Sequence, residues 1–257
     1  MRRPEFTLLE VRMEVADNTT IDEIADGIYR IAVFVPDIGP TGFTFNQFLI
    51  NAEEPMIYHT GPRAMFPLVS AAIETVLPVS SLRWIGFGHV EADECGAMNL
   101  FLAGAPQSQV VHSQIGCLVS VNDLADRPPR PMEHYEVLDL GGKRLRHIDT
   151  PHVPHGWDAR AMMEETTGTM FCGDLFSHVG RGAAVTESDL LEQASEAEDM
   201  FLSTALTPHT AATIATLAEF KPLTLAVMHG SSYRGSGATA LRGLADLYGQ
   251  RFDAAQE

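Results

Sequence analysis

Apolar and polar positions along this chain fall into short strand-like runs that give way to helical spacing and then return. Residues 28–35 alternate, turn formers fill 36–42, and 43–50 is a second apolar run, which predicts two strands. Met56-Ile57-Tyr58 reads as a third, closed by Gly61-Pro62. Helical spacing over 64–77, with Pro67 near the first turn, predicts a helix. A strand over 82–87, a buried helix over 98–103 and a strand over 109–111 follow, ahead of a proline-rich loop at 127–131. Residues 136–140 and 143–148 predict a hairpin through Gly141-Gly142, and 161–172 another that turns at Thr166-Thr167-Gly168. Helical composition over 187–220, a strand over 223–228 and a helix over 238–252 complete the pattern. Strands in two batches, each followed by helices, imply an α/β fold of two helix-covered sheets in a single domain, 1–257.

Composition narrows the function classes. With 45% apolar and 20% charged residues in 257, a sizeable core is expected. No apolar run reaches the roughly 18 residues of a membrane span, and the start Met1-Arg2-Arg3-Pro4-Glu5 leads into mixed polar sequence, so a cytoplasmic location is expected. The formal charge of −17, from 34 acidic and 17 basic side chains, repels phosphate backbones and anionic lipid. Nucleic-acid and membrane partners are therefore not expected. Cys95, Cys117 and Cys172 are widely spaced and odd in number, which predicts reduced thiols and no thiolate zinc cage.

Chemistry enters at the strand ends. Trp84-Ile85-Gly86-Phe87 leads to Gly88-His89-Val90-Glu91-Ala92-Asp93-Glu94, Met170-Phe171-Cys172 to Gly173-Asp174, and Leu225-Ala226-Val227-Met228 to His229-Gly230. The strand over 145–148 leads into the loop Thr150-Pro151-His152-Val153-Pro154-His155-Gly156-Trp157-Asp158. Strand ends are rigid platforms from which several side chains can be aimed at one spot. His89, Glu91 and His155 form a set suited to a first ion, ferrous iron in particular. Asp174 can bridge with its two oxygens, and Asp93, Asp174 and His229 complete a second site. Paired sites of this kind hold their ions about 3.5–4 Å apart. His152 is expected beside His155 as a supporting or substrate-side residue. Glu94 is open between a ligand, an acceptor that supports a ligand and a helix start. His59, His112, His134, His147, His178 and His209 lack a converging partner set and are expected at the surface or satisfied in the core. Phe45 reads as core, and Trp157 as a pocket wall.

In order and spacing, Thr44-Phe45-Asn46-Gln47-Phe48-Leu49-Ile50, His89-x-Glu91-x-Asp93, His155, Cys172-Gly173-Asp174 and His229-Gly230 resemble the metallo-β-lactamase superfamily. Within it the likeness is to flavodiiron proteins and free-standing oxygen-binding diiron proteins. The resemblance implies an αββα four-layer sandwich with metals at one edge of the sheets. The acidic residue between His89 and Asp93 marks the oxygen-reactive branch, where hydrolases usually carry histidine. Two departures stand out: Glu94 replaces a usual histidine, and residues 56–61 lack a usual supporting aspartate.

The resemblance implies two iron ions, with zinc or manganese as the alternative, and a function in binding, sensing or reducing dioxygen. No flavodoxin-like module follows the matched segment, so no bound flavin is expected and a separate reductase or signalling partner is implied. A homodimer is compatible with the sequence. The competing expectation is a dinuclear hydrolase acting on an ester, lactone or phosphodiester through a metal-activated water.

Overall fold

A computed structural model describes residues 18–256. Among these residues, fourteen strands form two seven-stranded sheets. The first takes β1 (Thr19–Ala25), β2 (Ile28–Val35), β3 (Phe43–Ile50), β4 (Met56–Tyr58), β5 (Trp84–Gly86), β6 (Gln109–Ser113) and β7 (Arg130–Met132) in chain order. The second runs β12-β14-β13-β11-β10-β9-β8, where β8 is Val137–Asp139, β9 Arg144–Asp149, β10 Arg160–Glu164, β11 Thr169–Phe171, β12 Val185–Thr186, β13 Thr224–Ala226 and β14 Ser232–Arg234.

Strand periodicity explains the layering. In β3, Phe48 and Ile50 point into one apolar cluster and Phe45 and Leu49 into another; in β4, Met56 and Tyr58 part from Ile57 in the same way. The cluster of Phe48, Tyr58, Met162, Phe171 and Ala226 lies between the sheets. On the outer face of the first sheet, α1 (Phe66–Ile73) and α3 (Met98–Gly104) supply Val69, Ile73, Phe101 and Leu102. On the outer face of the second, α4 (Leu191–Phe201), α5 (Thr210–Leu217) and α6 (Gly237–Ala254) supply Ala194, Ile214, Leu241 and Leu244. The result is the expected αββα sandwich, its central strands buried on both faces. A large side chain fully withdrawn from water contributes roughly 1.5–3 kcal/mol, against about 0.5–1.5 kcal/mol net for a hydrogen bond. Sheet packing therefore fixes where the strand ends lie, and hydrogen bonds set where the loops leaving them point.

Several expected boundaries shift. Arg130 and Pro131 of the anticipated proline-rich loop, with Met132 after it, pair in parallel with β6. A helical run over 114–124, including a π-helical turn at Cys117–Val121, occupies sequence with no predicted element. The helical stretch over 187–220 divides where Leu202 takes a left-handed conformation, φ 49°, and Glu198 accepts from the Thr204 backbone N–H. Strands β1 and β14 were not expected, because their partners are set by the sheet and not by local pattern. Among the described residues no helix is long and apolar enough to cross a membrane. All three cysteines are free thiols, with Cys117 and Cys172 buried and Cys95 half-buried.

Candidate metal centre

Parallel pairing sets the position of the site. β5 lies parallel to β4, and β13 parallel to β11, so His89, Asp174 and His229 leave their strands on the same edge of the sandwich. The two sheets are tied there directly. The Asn46 backbone N–H donates to Met228 O at 2.9 Å, and its side-chain amide donates to Val227 O and Gly230 O, each at 2.8 Å. Arg30, buried in β2, donates to the same Gly230 oxygen. Only glycine fits at position 230: its φ is +94°, and a Cβ would meet the His178 ring at 2.2 Å. The His155 loop is joined to the His89 loop by Asp158, which accepts from the Val90 N–H at 2.9 Å. Arg160, fully buried, donates to Phe87 O at the root of the His89 loop.

All six sequence-predicted residues converge. One ligand atom each from His89, Glu91, His155 and Asp174 lies within 4.8 Å of the others. The Nε2 atoms of His89 and His155 approach a single oxygen of Glu91 at 2.8 and 2.9 Å, and Asp174 Oδ2 at 3.7 and 3.6 Å. On the other side, His229 Nε2 lies 3.2 Å from both Asp93 Oδ2 and Asp174 Oδ1. Asp174 thus gives one oxygen to each group. The His229 ring is oriented by its Nδ1–H donating to Thr44 O at 2.9 Å, which leaves Nε2 for the site. His89 and His229 are buried, whereas Glu91 and His155 stand at the solvent rim.

This donor set fits metal ions. Ligands about 2.0–2.2 Å from one ion lie roughly 3–3.5 Å from one another, close to the 2.8–3.7 Å contacts of His89 and His155 with Glu91 and Asp174. Asp93 Oδ1 and Asp174 Oδ1 are buried without hydrogen-bond partners. The 3.2 Å contact of Asp174 Oδ1 with His229 is close enough for attraction but not aligned as a hydrogen bond. Buried carboxylate oxygens left unpaired are costly unless a cation satisfies them.

Titration follows the same logic. Burial works against a charge on His89, yet Glu94, Glu91 and Asp174 outweigh it and push its pKa up to about 12. His229, likewise opposed by burial, is pushed up to about 10 by Asp174 and Asp93. Hydrogen bonds from His155 and His89 hold the Glu91 carboxyl well below the usual carboxylate range. Ion binding requires neutral imidazole nitrogen. With His89 and His229 raised above neutrality, loading should release protons and weaken as pH falls. A pH-stat titration with ferrous or zinc ion checks this.

Other predicted residues lie as follows. Glu94 is fully buried and turned to His89, whose backbone N–H donates to it at 2.6 Å. His152 is exposed, with φ +66°, and its side chain makes no hydrogen bond or ion pair to the cluster. Trp157 is exposed, and Phe45 meets the His229 ring edge-on at 5.3 Å between centroids. Phe43, read in the sequence only as a strand residue, lies 4.3 Å from the same ring. His178 is satisfied in the core by the Ser231 N–H and Phe176 O, His147 pairs with Asp149, and His134 and His209 are exposed. The expectation for His59 needs correction: it is fully buried and neither ring nitrogen has a hydrogen-bond partner. His112 Nε2 is also buried and unbonded, 3.9 Å from Asp158. Ser232 and Tyr233, just after His229, belong to β14.

Comparison with known proteins places this geometry. A putative diflavin flavoprotein A 2 from Synechocystis is 29% identical over 141 residues, covering 52% of this chain and 24% of that protein. Rubredoxin-oxygen oxidoreductase from Megalodesulfovibrio gigas is 23% identical over 210 residues, covering 77% of this chain and 51% of that protein. The chain thus spans about a quarter to a half of the length of these relatives. Among solved structures, a metal-soaked flavodiiron core from Synechocystis superposes with a TM-score of 0.76 at 23% identity, covering 92% of this chain and 61% of that one. The fold is accordingly the metallo-β-lactamase-like core of flavodiiron proteins. The pattern of the ODP family of beta lactamases matches residues 43–230, from the first residue of β3 to the glycine after His229, and the chain belongs to that family.

Proposed function

We propose that this chain holds two iron ions and reacts with dioxygen. The observation that carries the reading is the division of Asp174, with Oδ2 facing His89 and His155 and Oδ1 facing His229. One carboxylate serving two donor groups is the arrangement a paired site requires. His89, His155, Glu91 and Asp174 would hold one ion; Asp93, His229 and Asp174 would hold the other. Three carboxylates favour the more highly charged ferric state, and they make a metal less electrophilic for hydrolysis. Bound iron would supply the electrons that dioxygen takes up.

The protein's own residues set the conditions for that chemistry. Phe43 and Phe45 flank the His229 ring and exclude water from that side. Glu91, half-exposed, leaves the His155 side open to a small molecule. The name rubredoxin-oxygen oxidoreductase, borne by a relative with the same core, supports oxygen as the reactant. Reducing equivalents would be supplied to the centre from outside it, with the cytoplasm as the proposed location. The first test is elemental analysis, with a visible spectrum, of protein grown without added zinc. Close to two irons per chain is expected. Absence of metal from a chain with unchanged fold would remove the proposal, and one tightly held ion would identify the Asp93–His229 side as the weaker site.

A further inference from the structure

Beneath the rim lies a second row of ionisable groups. Glu94 is fully buried, and both of its oxygens face His89, one through a hydrogen bond and the other through an ion-pair contact with no hydrogen bond. One accepts from the His89 backbone N–H at 2.6 Å, and the other lies 3.2 Å from His89 Nδ1, on the far side of the ring from Glu91 and Asp174. The oxygen that faces Nδ1 also lies 3.5 Å from Nε2 of His59. His59 is fully buried, both of its ring nitrogens lack hydrogen-bond partners, and its backbone is left-handed at φ +61°. Non-glycine residues rarely adopt that conformation, and those that do tend to be held there by their surroundings. Here the His59 N–H donates to Gly86 O at 2.8 Å, which fixes the residue to the end of β5. The room for the pair comes from a glycine: a Cβ at Gly88 would sit 2.9 Å from a Glu94 oxygen.

Resting on the two-ion reading, we infer that Glu94 is a positioning residue: with His59 it forms a buried carboxylate–imidazole pair that fixes the His89 ring, and it is not a ligand of the second ion. The reason lies in the imidazole. A ring whose Nδ1–H is held by a carboxylate presents Nε2 to the metal in one orientation, and such outer partners commonly change metal affinity by about 10–100-fold when removed. Helical geometry explains why adjacent acids part company. Asp93 and Glu94 both lie in the short helix α2 (Ala92–Cys95), where successive side chains point about 100° apart. Asp93 faces His229, and Glu94 faces back to His89.

The test is chelator competition on the metal-loaded chain, with the two release phases assigned by His155→Ala and His229→Ala. Glu94→Gln should weaken the phase that His155→Ala weakens by about 10–100-fold, leave the His229 phase unchanged and keep two ions per chain. His59→Asn, chosen because asparagine tolerates left-handed backbone, should move the same phase by a smaller factor, and it covers the case in which Glu94→Gln does not fold. In the zinc-loaded protein, nitrogen-15 imidazole spectra should show a hydrogen-bonded Nδ1–H on His89 that Glu94→Gln shifts, a change that mere packing would not produce. Loss of the His229 phase in Glu94→Gln would make Glu94 a ligand and overturn the inference, as would unchanged release in both variants. A wild-type chain that takes up no ion overturns the two-ion reading and this inference together. Two ions in the wild type with unaltered variants overturns this inference alone.

Discussion

Asp174→Ala should disturb both sides of the centre, emptying the His229 side and weakening the His89 side, the largest effect of any single substitution here. Every other proposed ligand serves one side, but Asp174 gives Oδ2 to the His89 and His155 nitrogens and Oδ1 to His229. Alanine leaves the first side with two imidazoles and Glu91, and the second with Asp93 and His229 alone. Two protein ligands are too few to hold iron against a chelator, because structural and catalytic sites usually offer at least three. Asp174 follows β11 through a glycine with φ +55°, and the fold should survive its replacement because the apolar cores lie behind it. The check is metal content and chelator affinity after dialysis alongside thermal unfolding: loss of the second ion, a weakened hold on the first and a folded chain are expected. Unchanged affinity on either side would show that the two sides do not share this carboxylate.

The second large effect separates two histidines three positions apart. His155 Nε2 lies 2.9 Å from the Glu91 oxygen and 3.6 Å from Asp174, while His152 is exposed and its side chain makes no hydrogen bond or ion pair with the cluster. His155→Ala should lower affinity for one ion by at least the roughly 10–100-fold that losing even a supporting partner costs. His152→Ala should change affinity less than twofold, in keeping with the small effects of surface substitutions. Isothermal titration of both variants with the same ion decides it. The reverse order would mean that the loop from Thr150 to Asp158 presents the wrong histidine.

Much of this centre was legible in the sequence, for a physical reason. Short apolar runs ending in His89, Asp174 and His229 mark strand ends, and a β-sandwich brings the ends of its parallel strands to one edge. What local pattern did not reveal depended on contacts between distant segments. His59 stands 35 positions before Glu94 and faces it only because β4 and β5 pair in parallel. Phe43 reads as one more strand residue until the two sheets close over the His229 ring. The direction of Glu94 depended on a four-residue helix, where the extended alternation that suits His89 and Glu91 no longer applies. The helical run over 114–124 was invisible because Leu118, Ile115 and Leu124 are exposed, which breaks the apolar spacing that marks a packed helix.

The central claim is a paired iron centre that meets dioxygen, and its most direct test is an anaerobic titration. The 257-residue chain is loaded with iron, reduced, freed of reductant and exposed to measured additions of air-saturated buffer, while absorbance and oxygen uptake are followed. Two ferrous ions carry two electrons and full reduction of dioxygen to water needs four, so a paired centre without added reductase should take up about one O₂ per two irons, change its spectrum once and then stop. No uptake and no spectral change, together with rapid cleavage of an ester, lactone or phosphodiester by the zinc-loaded chain, would contradict the account and make the centre hydrolytic.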